Sequence, residues 1–122
     1  MKNFRDLHVW RKSHLLVLAS YQSTSEFPKQ EMYGMTSQIR RCAASIPANI
    51  AEGCGKRGNG EFQCYLNIAA GSASELEYHF LLARDLDLFD ENNYQRLNSG
   101  VVEVKRMLAS LMGKVEAERV AG

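Results

Sequence analysis

Apolar residues recur at alternating steps of three and four along almost the whole chain, in four runs separated by short polar stretches. That spacing is the period of one face of a helix, and little but helix is compatible with it. The clearest run is Tyr94, Leu97, Val101, Val104, Leu108, Leu111 and Val115, which keeps the alternation without a fault. The one before it carries Phe62, Tyr65, Leu66, Ala69, Ala73, Leu76, Phe80 and Ala83. An earlier one carries Met32, Met35, Ile39, Cys42, Ala43, Ile46 and Ile50. In the first, Leu7, Trp10, His14, Val17, Leu18 and Tyr21 share one stripe, which predicts that this stripe faces inward while Arg5 and Lys12 point away.

The punctuation fits. The polar Ser23–Glu26 cluster and Pro28 end the first helix near Thr24, since the residue before a proline avoids helical geometry. Pro47 sits inside the second run and predicts a kink there. Gly53-Cys54-Gly55-Lys56-Arg57-Gly58-Asn59-Gly60 is the main loop, with Gly53 or Gly55 expected as a left-handed helix end. Asp90 is placed to cap the last helix, with Glu91 in its first turn. Glu116 to Gly122 reads as a polar, frayed tail. Helices are expected at about 5–24, 30–53, 60–86 and 91–117. Long helices on short loops make neighbours antiparallel, so the expected architecture is all-α, an up-down-up-down four-helix bundle formed by residues 1–122 as one domain.

Catalytic and cofactor chemistry find little support. Gly53-x-Gly55-x-x-Gly58 matches the dinucleotide fingerprint literally, but that motif must follow a strand and here it follows a helix. A di-iron bundle needs two Glu-x-x-His motifs, whereas this chain has only His8, His14 and His79, the last in a Glu75-x-x-x-His79 spacing with no second copy. Cys42, Cys54 and Cys64 form an odd set without a C-x-x-C pair, against a disulfide framework or a structural zinc site. Cys42 and Cys64 fall on apolar stripes and read as small buried hydrophobes. No nucleophile with a base and an orienting group is evident. The expectation is a non-enzymatic protein without a metal or cofactor. No apolar run of about 18 residues and no signal-like opening occurs, which predicts a cytoplasmic protein.

Charge is more informative. The net charge of +1 conceals an asymmetry, because residues 1–60 carry nine Lys/Arg against four Asp/Glu and residues 61–122 carry six against ten. The halves could complement each other within a subunit or between subunits, or a basic face could be kept for nucleic acid. On the second helix Gln38, Arg41, Ser45, Asn49 and Glu52 follow one another at steps of three and four, away from the apolar stripe. They form a candidate subunit interface, with Arg41 and Glu52 available for charge pairing. Lys12, Arg40, Arg41, Lys56 and Arg57 are the candidate phosphate contacts, the last two beside a helix start that favours anions.

Phe4-x-Asp6-Leu7-x-Val9-Trp10, Phe27-Pro28-x-x-Glu31-x-Tyr33-Gly34-Met35-Thr36-x-Gln38-Ile39-Arg40-Arg41, Ser45-Ile46-Pro47-Ala48-Asn49-Ile50-Ala51-Glu52-Gly53 and Ala70-Gly71-Ser72-x-x-Glu75-Leu76 together resemble the S23-type four-helix bundle proteins. That family includes proteins encoded by intervening sequences of bacterial large-subunit ribosomal RNA genes, and it is similar to the accessory proteins of diversity-generating retroelements. The resemblance implies a bacterial, non-enzymatic bundle assembled as a ring-shaped homo-oligomer, a pentamer, with nucleic acid as a candidate partner. The near-neutral charge departs from the more basic retroelement relatives.

Overall fold

In the computed structural model, which describes residues 2–122, a short 3-10 turn at Phe4–Asp6 leads into α1 (His8–Thr24). A second 3-10 turn at Lys29–Glu31 precedes α2 (Met35–Cys54), followed by α3 (Asn59–Asp85) and α4 (Glu91–Ala121). Among the described residues there is no strand. Each helix packs against its neighbours in the order α1, α2, α3, α4 and back to α1, while α1 and α3 occupy opposite corners. With short connections this is the antiparallel four-helix bundle. Phe27 from the α1–α2 connection and Phe89 from the α3–α4 connection meet at one end, ring centroids 4.9 Å apart, and Phe80 closes onto Phe89 at 6.1 Å. At the other end the Lys2 amide donates to the Cys54 carbonyl and ties the N-terminal segment to the end of α2.

Three helices turn inward the stripes expected of them. Ile39, Ala43, Ile46 and Ile50 of α2, Leu66, Ala69, Ala73, Leu76 and Phe80 of α3, and Leu97, Val101, Val104 and Leu108 of α4 are fully or almost fully buried. The core is therefore supplied mainly from α2, α3 and α4.

Helix α1 does not follow. Its buried face is Val9, Ser13, Leu16, Ser20, Ser23 and Thr24, whereas Trp10 and Val17 are half-buried and His14, Leu18 and Tyr21 are exposed. The helix is rotated so that Leu18, about 200° round from Leu16, points outward. Serines are tolerated inside because their hydroxyls need no partner from another helix. Ser13 donates to the Trp10 carbonyl, Ser20 to Leu16 and Thr24 to Ser20, at 2.8–2.9 Å. The small side chains also let α4 come close, where a Cβ on Gly100 would lie 3.0 Å from Leu16 Cδ1.

Other departures are local. Helix α2 starts at Met35 rather than near residue 30, because the chain turns through Gly34 at φ −111°, ψ −114°, and Met32 is left exposed. As expected, Pro47, which is buried, does not end the helix, which continues through Ile50 to Cys54. Neither Gly53 nor Gly55 is left-handed, and Gly55 sits in the right-handed helical region. Gly53 is required for proximity instead, since a Cβ there would lie 2.8 Å from Tyr65 Cβ. The left-handed residue is Asp87, φ 62°, which ends α3 as the Leu88 amide reaches back to Ala83. Asp90 caps α4 by accepting from the Asn93 amide at 2.7 Å. Helix α4 continues to Ala121, so the tail is helical rather than frayed.

Candidate functional site

Two surfaces flank α2, one apolar and one polar. On the α1 side, Phe4, Trp10, His14 and Val17 face Ala44, Pro47, Ala48 and Ala51 across an open groove of about 320 Å³. The alanines keep the groove floor low, and Trp10 forms its wall, stacked on His14 at 5.0 Å and tilted against Phe4 at 4.8 Å. Leu15, Leu18 and Tyr21 extend this apolar surface along the outside of α1.

On the α3 side, Gln38, Arg41, Cys42 and Ser45 of α2 face Ser72 and Glu75 of α3 across a groove of about 260 Å³. Small residues again set the spacing. The Ser45 and Ser72 hydroxyls meet at 2.8 Å, and Asn49 Nδ2 donates to the Ser45 carbonyl at 2.8 Å and to its hydroxyl at 3.0 Å. The expected interface residues are thus brought together, but along the α2–α3 seam rather than on a free outer face. Ser45 and Asn49 are half-buried there, and Gln38 and Arg41 are exposed at one end. Arg41 makes no hydrogen bond or ion pair among the described residues. Glu52 lies beside Tyr65 and, first by its hydrogen bond and then by its charge, holds the phenol's pKa above the usual value. Arg41 and Glu52 are three helical turns apart on α2, about 16 Å by the helical rise, and do not pair.

The floor of this groove holds a group that spacing alone does not show. Cys42 of α2 lies against Glu75 and His79 of α3, with one sulfur, one carboxylate oxygen and one imidazole nitrogen all within 4.8 Å of one another. Cys42 Sγ donates to the Ser72 carbonyl at 3.1 Å, and His79 Nε2 lies 3.3 Å from Glu75 Oε2. Burial, with the Glu75 charge adding to it, pushes the Cys42 thiol up to about 12. Glu75 and His79 share a face because they are four apart on one helix, but only packing brings Cys42, thirty-three positions away, beside them. Cys54 is buried with its thiol pKa also raised by burial, and Cys64, expected inside, is exposed on the outer side of α3.

The candidate phosphate contacts do not form one patch. Lys12 pairs with Glu103 of α4 at 3.3 Å. Arg40 is committed to the α1–α2 contact, its Nε donating to Thr24 Oγ1 at 2.9 Å and its guanidinium lying 4.6 Å from the Tyr21 ring. Lys56 lies over the Tyr65 ring at 5.4 Å, and with Arg57 and Lys2 it lines a small recess at the start of α3. Arg40 and Lys56 are separated by most of the length of α2, about 24 Å by the helical rise.

Fold and surface define an all-α bundle of the S23 type, four helices whose outer grooves rather than an internal cavity carry the unusual chemistry. The model of the 23S rRNA-intervening sequence protein family matches residues 5–110, and the chain belongs to that family. A similar solved structure is that of a protein with unknown function from the S23 ribosomal protein family of Bacteroides thetaiotaomicron VPI-5482. It is 28% identical, with a TM-score of 0.77 over 85% of this chain and 97% of that one. No curated protein matches the chain. No described helix is long and apolar enough to cross a membrane.

Proposed function

We propose that this chain is a non-enzymatic cytoplasmic scaffold that associates head to tail with its own copies, closing into a ring and most simply the pentamer that the family resemblance implies. The observation that carries this reading is the orientation of α1, which leaves Leu15, Leu18 and Tyr21 exposed and Trp10 and Val17 only half-buried while Ser13 and Ser20 join Val9 and Leu16 on the core side. A helix orients its most apolar stripe toward what buries it, and an exposed patch of this kind marks an interaction site.

The opposite corner of the bundle supports a heterologous contact. Helix α3 also presents an exposed stripe, Cys64, Ile68, Gly71 and Tyr78, with Glu75 among them. Helix α1 carries Arg11 and Lys12 and no acid, whereas α3 carries Glu61, Glu75, Glu77 and Asp85 against Arg84 alone. Two different, complementary surfaces on opposite corners are what a head-to-tail ring requires, and an isologous dimer does not. Gln38, Arg41 and Ser45 would rim that contact. Light scattering and native mass spectrometry at micromolar concentration should find a closed oligomer larger than a dimer, loosened by Arg41→Ala. A monomer would refute the proposal.

A second reading, nucleic-acid contact, draws on the gathering of Lys2, Lys56 and Arg57 at the start of α3, where unpaired backbone amides favour anions. It requires RNA or DNA affinity that falls steeply with salt and is lost in a Lys56→Ala/Arg57→Ala variant. Absence of binding at low salt would remove it.

A further inference from the structure

We propose that Cys42, Glu75 and His79 form a binding site for a borderline divalent cation of the Zn²⁺ class, opening into the groove between α2 and α3. Thiolate, imidazole and carboxylate are the three donor types such ions take, and a site with three protein ligands leaves one position for water or another ligand. Tetrahedral bonds of about 2.0–2.3 Å place ligand atoms about 3.3–3.6 Å apart. The three atoms already lie within 4.8 Å, and His79 Nε2 and Glu75 Oε2 within 3.3 Å, so side-chain adjustment of about an ångström completes the set.

The surroundings point the same way. His79 is only 8% exposed, and its Nδ1 is buried without a hydrogen-bond partner among the described residues. Neither neutral tautomer is comfortable. With the proton on Nε2 the buried Nδ1 lone pair is orphaned. With the proton on Nδ1 that N–H is buried without an acceptor, and two lone pairs, on Nε2 and Glu75, face each other at 3.3 Å. A cation between Nε2, Oε2 and Sγ turns the lone-pair contact of Nε2 with Glu75 into coordination, Nδ1 keeping the ring proton, and the Cys42 thiol releases its proton to solvent as the metal–sulfur bond forms. The fourth position faces the groove, where Gln38 and Arg41 stand at the rim. Arg41, uncommitted in the subunit, is placed to hold an anionic fourth ligand.

The site shares Glu75 with the proposed α3 contact but needs no second copy of the chain, and it is tested on the full chain with Zn²⁺ in competition with a chromophoric chelator, and with Co²⁺ as a spectroscopic probe. The expected result is one metal per chain and a sulfur-to-cobalt charge-transfer band. Cys42→Ser should abolish the band, and Glu75→Gln should weaken affinity at least roughly tenfold. Cys64→Ser should change neither. Glu75 is exposed, so E75Q keeps the fold even where Cys42→Ser does not, as circular dichroism would show. Binding without a thiolate band, binding insensitive to E75Q, or no binding at micromolar metal would each overturn the proposal.

Discussion

Leu18 offers the sharpest test of the outward-facing α1 stripe, because changing it to either charge separates the proposed partner from the alternatives. Its side chain is 53% exposed in the subunit. Fully burying a leucine contributes roughly 1.5–3 kcal/mol, so about half, ~0.8–1.5 kcal/mol, remains available to each interface. Losing it alone should raise the dissociation constant about 4- to 13-fold. A charge adds a second contribution whose sign depends on what the stripe meets. If it meets the acidic α3 corner, with Glu61 and Glu75, a glutamate is repelled and a lysine attracted, each by about 1 kcal/mol at the intermediate dielectric of a closing interface. Leu18→Glu should then weaken assembly roughly 20- to 70-fold and Leu18→Lys only threefold or less, a separation of about 30-fold between two substitutions at one site. Sedimentation velocity over a dilution series reads both constants, and urea unfolding should show the subunit changed by less than about 0.5 kcal/mol. If Lys weakens assembly more than Glu, the stripe meets another basic surface, as in an α1–α1 dimer, and the head-to-tail reasoning fails. If neither changes it, the stripe is not an interface.

Three further outcomes follow from the packing. Ser20→Ala should alter stability by no more than about 0.5 kcal/mol, because its hydroxyl bonds only to its own helix, while Leu16→Ala should cost roughly 2–5 kcal/mol, and comparable costs at both sites in chemical denaturation would refute the observed α1 orientation. Gly53→Ala gains about 1 kcal/mol of helix propensity but forces a Cβ to 2.8 Å from Tyr65 Cβ, so a net loss of roughly 1–2 kcal/mol is expected in thermal unfolding. Iodoacetamide should label Cys64 rapidly and Cys42 hardly at all near neutral pH. Since burial raises the Cys42 thiol from 9.0 to about 12 in the fold, its contribution to stability is complete below pH 9 and should be lost progressively as pH rises from 9 toward 12, measurable as a fall in the denaturation midpoint that Cys42→Ala makes shallower, the raised Cys54 and Tyr65 accounting for the rest.

The existence of the helices and three of their four inward faces were legible from spacing, because in α2, α3 and α4 the most apolar stripe is also the one the subunit buries. The α1 face was not. Leu7, Trp10, Val17 and Leu18 outweigh Val9, Ser13, Leu16 and Ser20 in apolar content, and periodicity reports which stripe wants burial without saying whether its own subunit or another provides it. The polar face of α2 was legible as a pattern, but its location in a groove depended on Ser72 and Glu75, which only the α2–α3 register supplies. The Cys42–Glu75–His79 group was invisible for the same reason. Two of its three residues are an i,i+4 pair, and the thiol arrives from another helix. Of the basic residues, the sequence showed the number but not the engagements, and Lys12 and Arg40 are spent on Glu103 and Tyr21.

The serine-lined face of α1 also bears on how the subunit holds together. Val9 and Leu16 are the only large aliphatic side chains of α1 among the described residues that are fully buried; Trp10 and Val17 pack only partly against the core, and Arg40 clamps the helix's C-terminal turn. Such a helix belongs to the low end of local stabilities within a domain. Association that covers its outer stripe would bind the docked state alone and therefore stabilise it by mass action. Hydrogen exchange should accordingly show α1 amides less protected than those of α2 and α3 at high dilution, and their protection should rise with protein concentration while that of α2 and α3 changes little. In Leu18→Glu the α1 protection should stay low across the same range. Protection of α1 equal to that of α3 at every concentration would mean that the subunit alone secures the helix, and the outward stripe would then have no part in holding it.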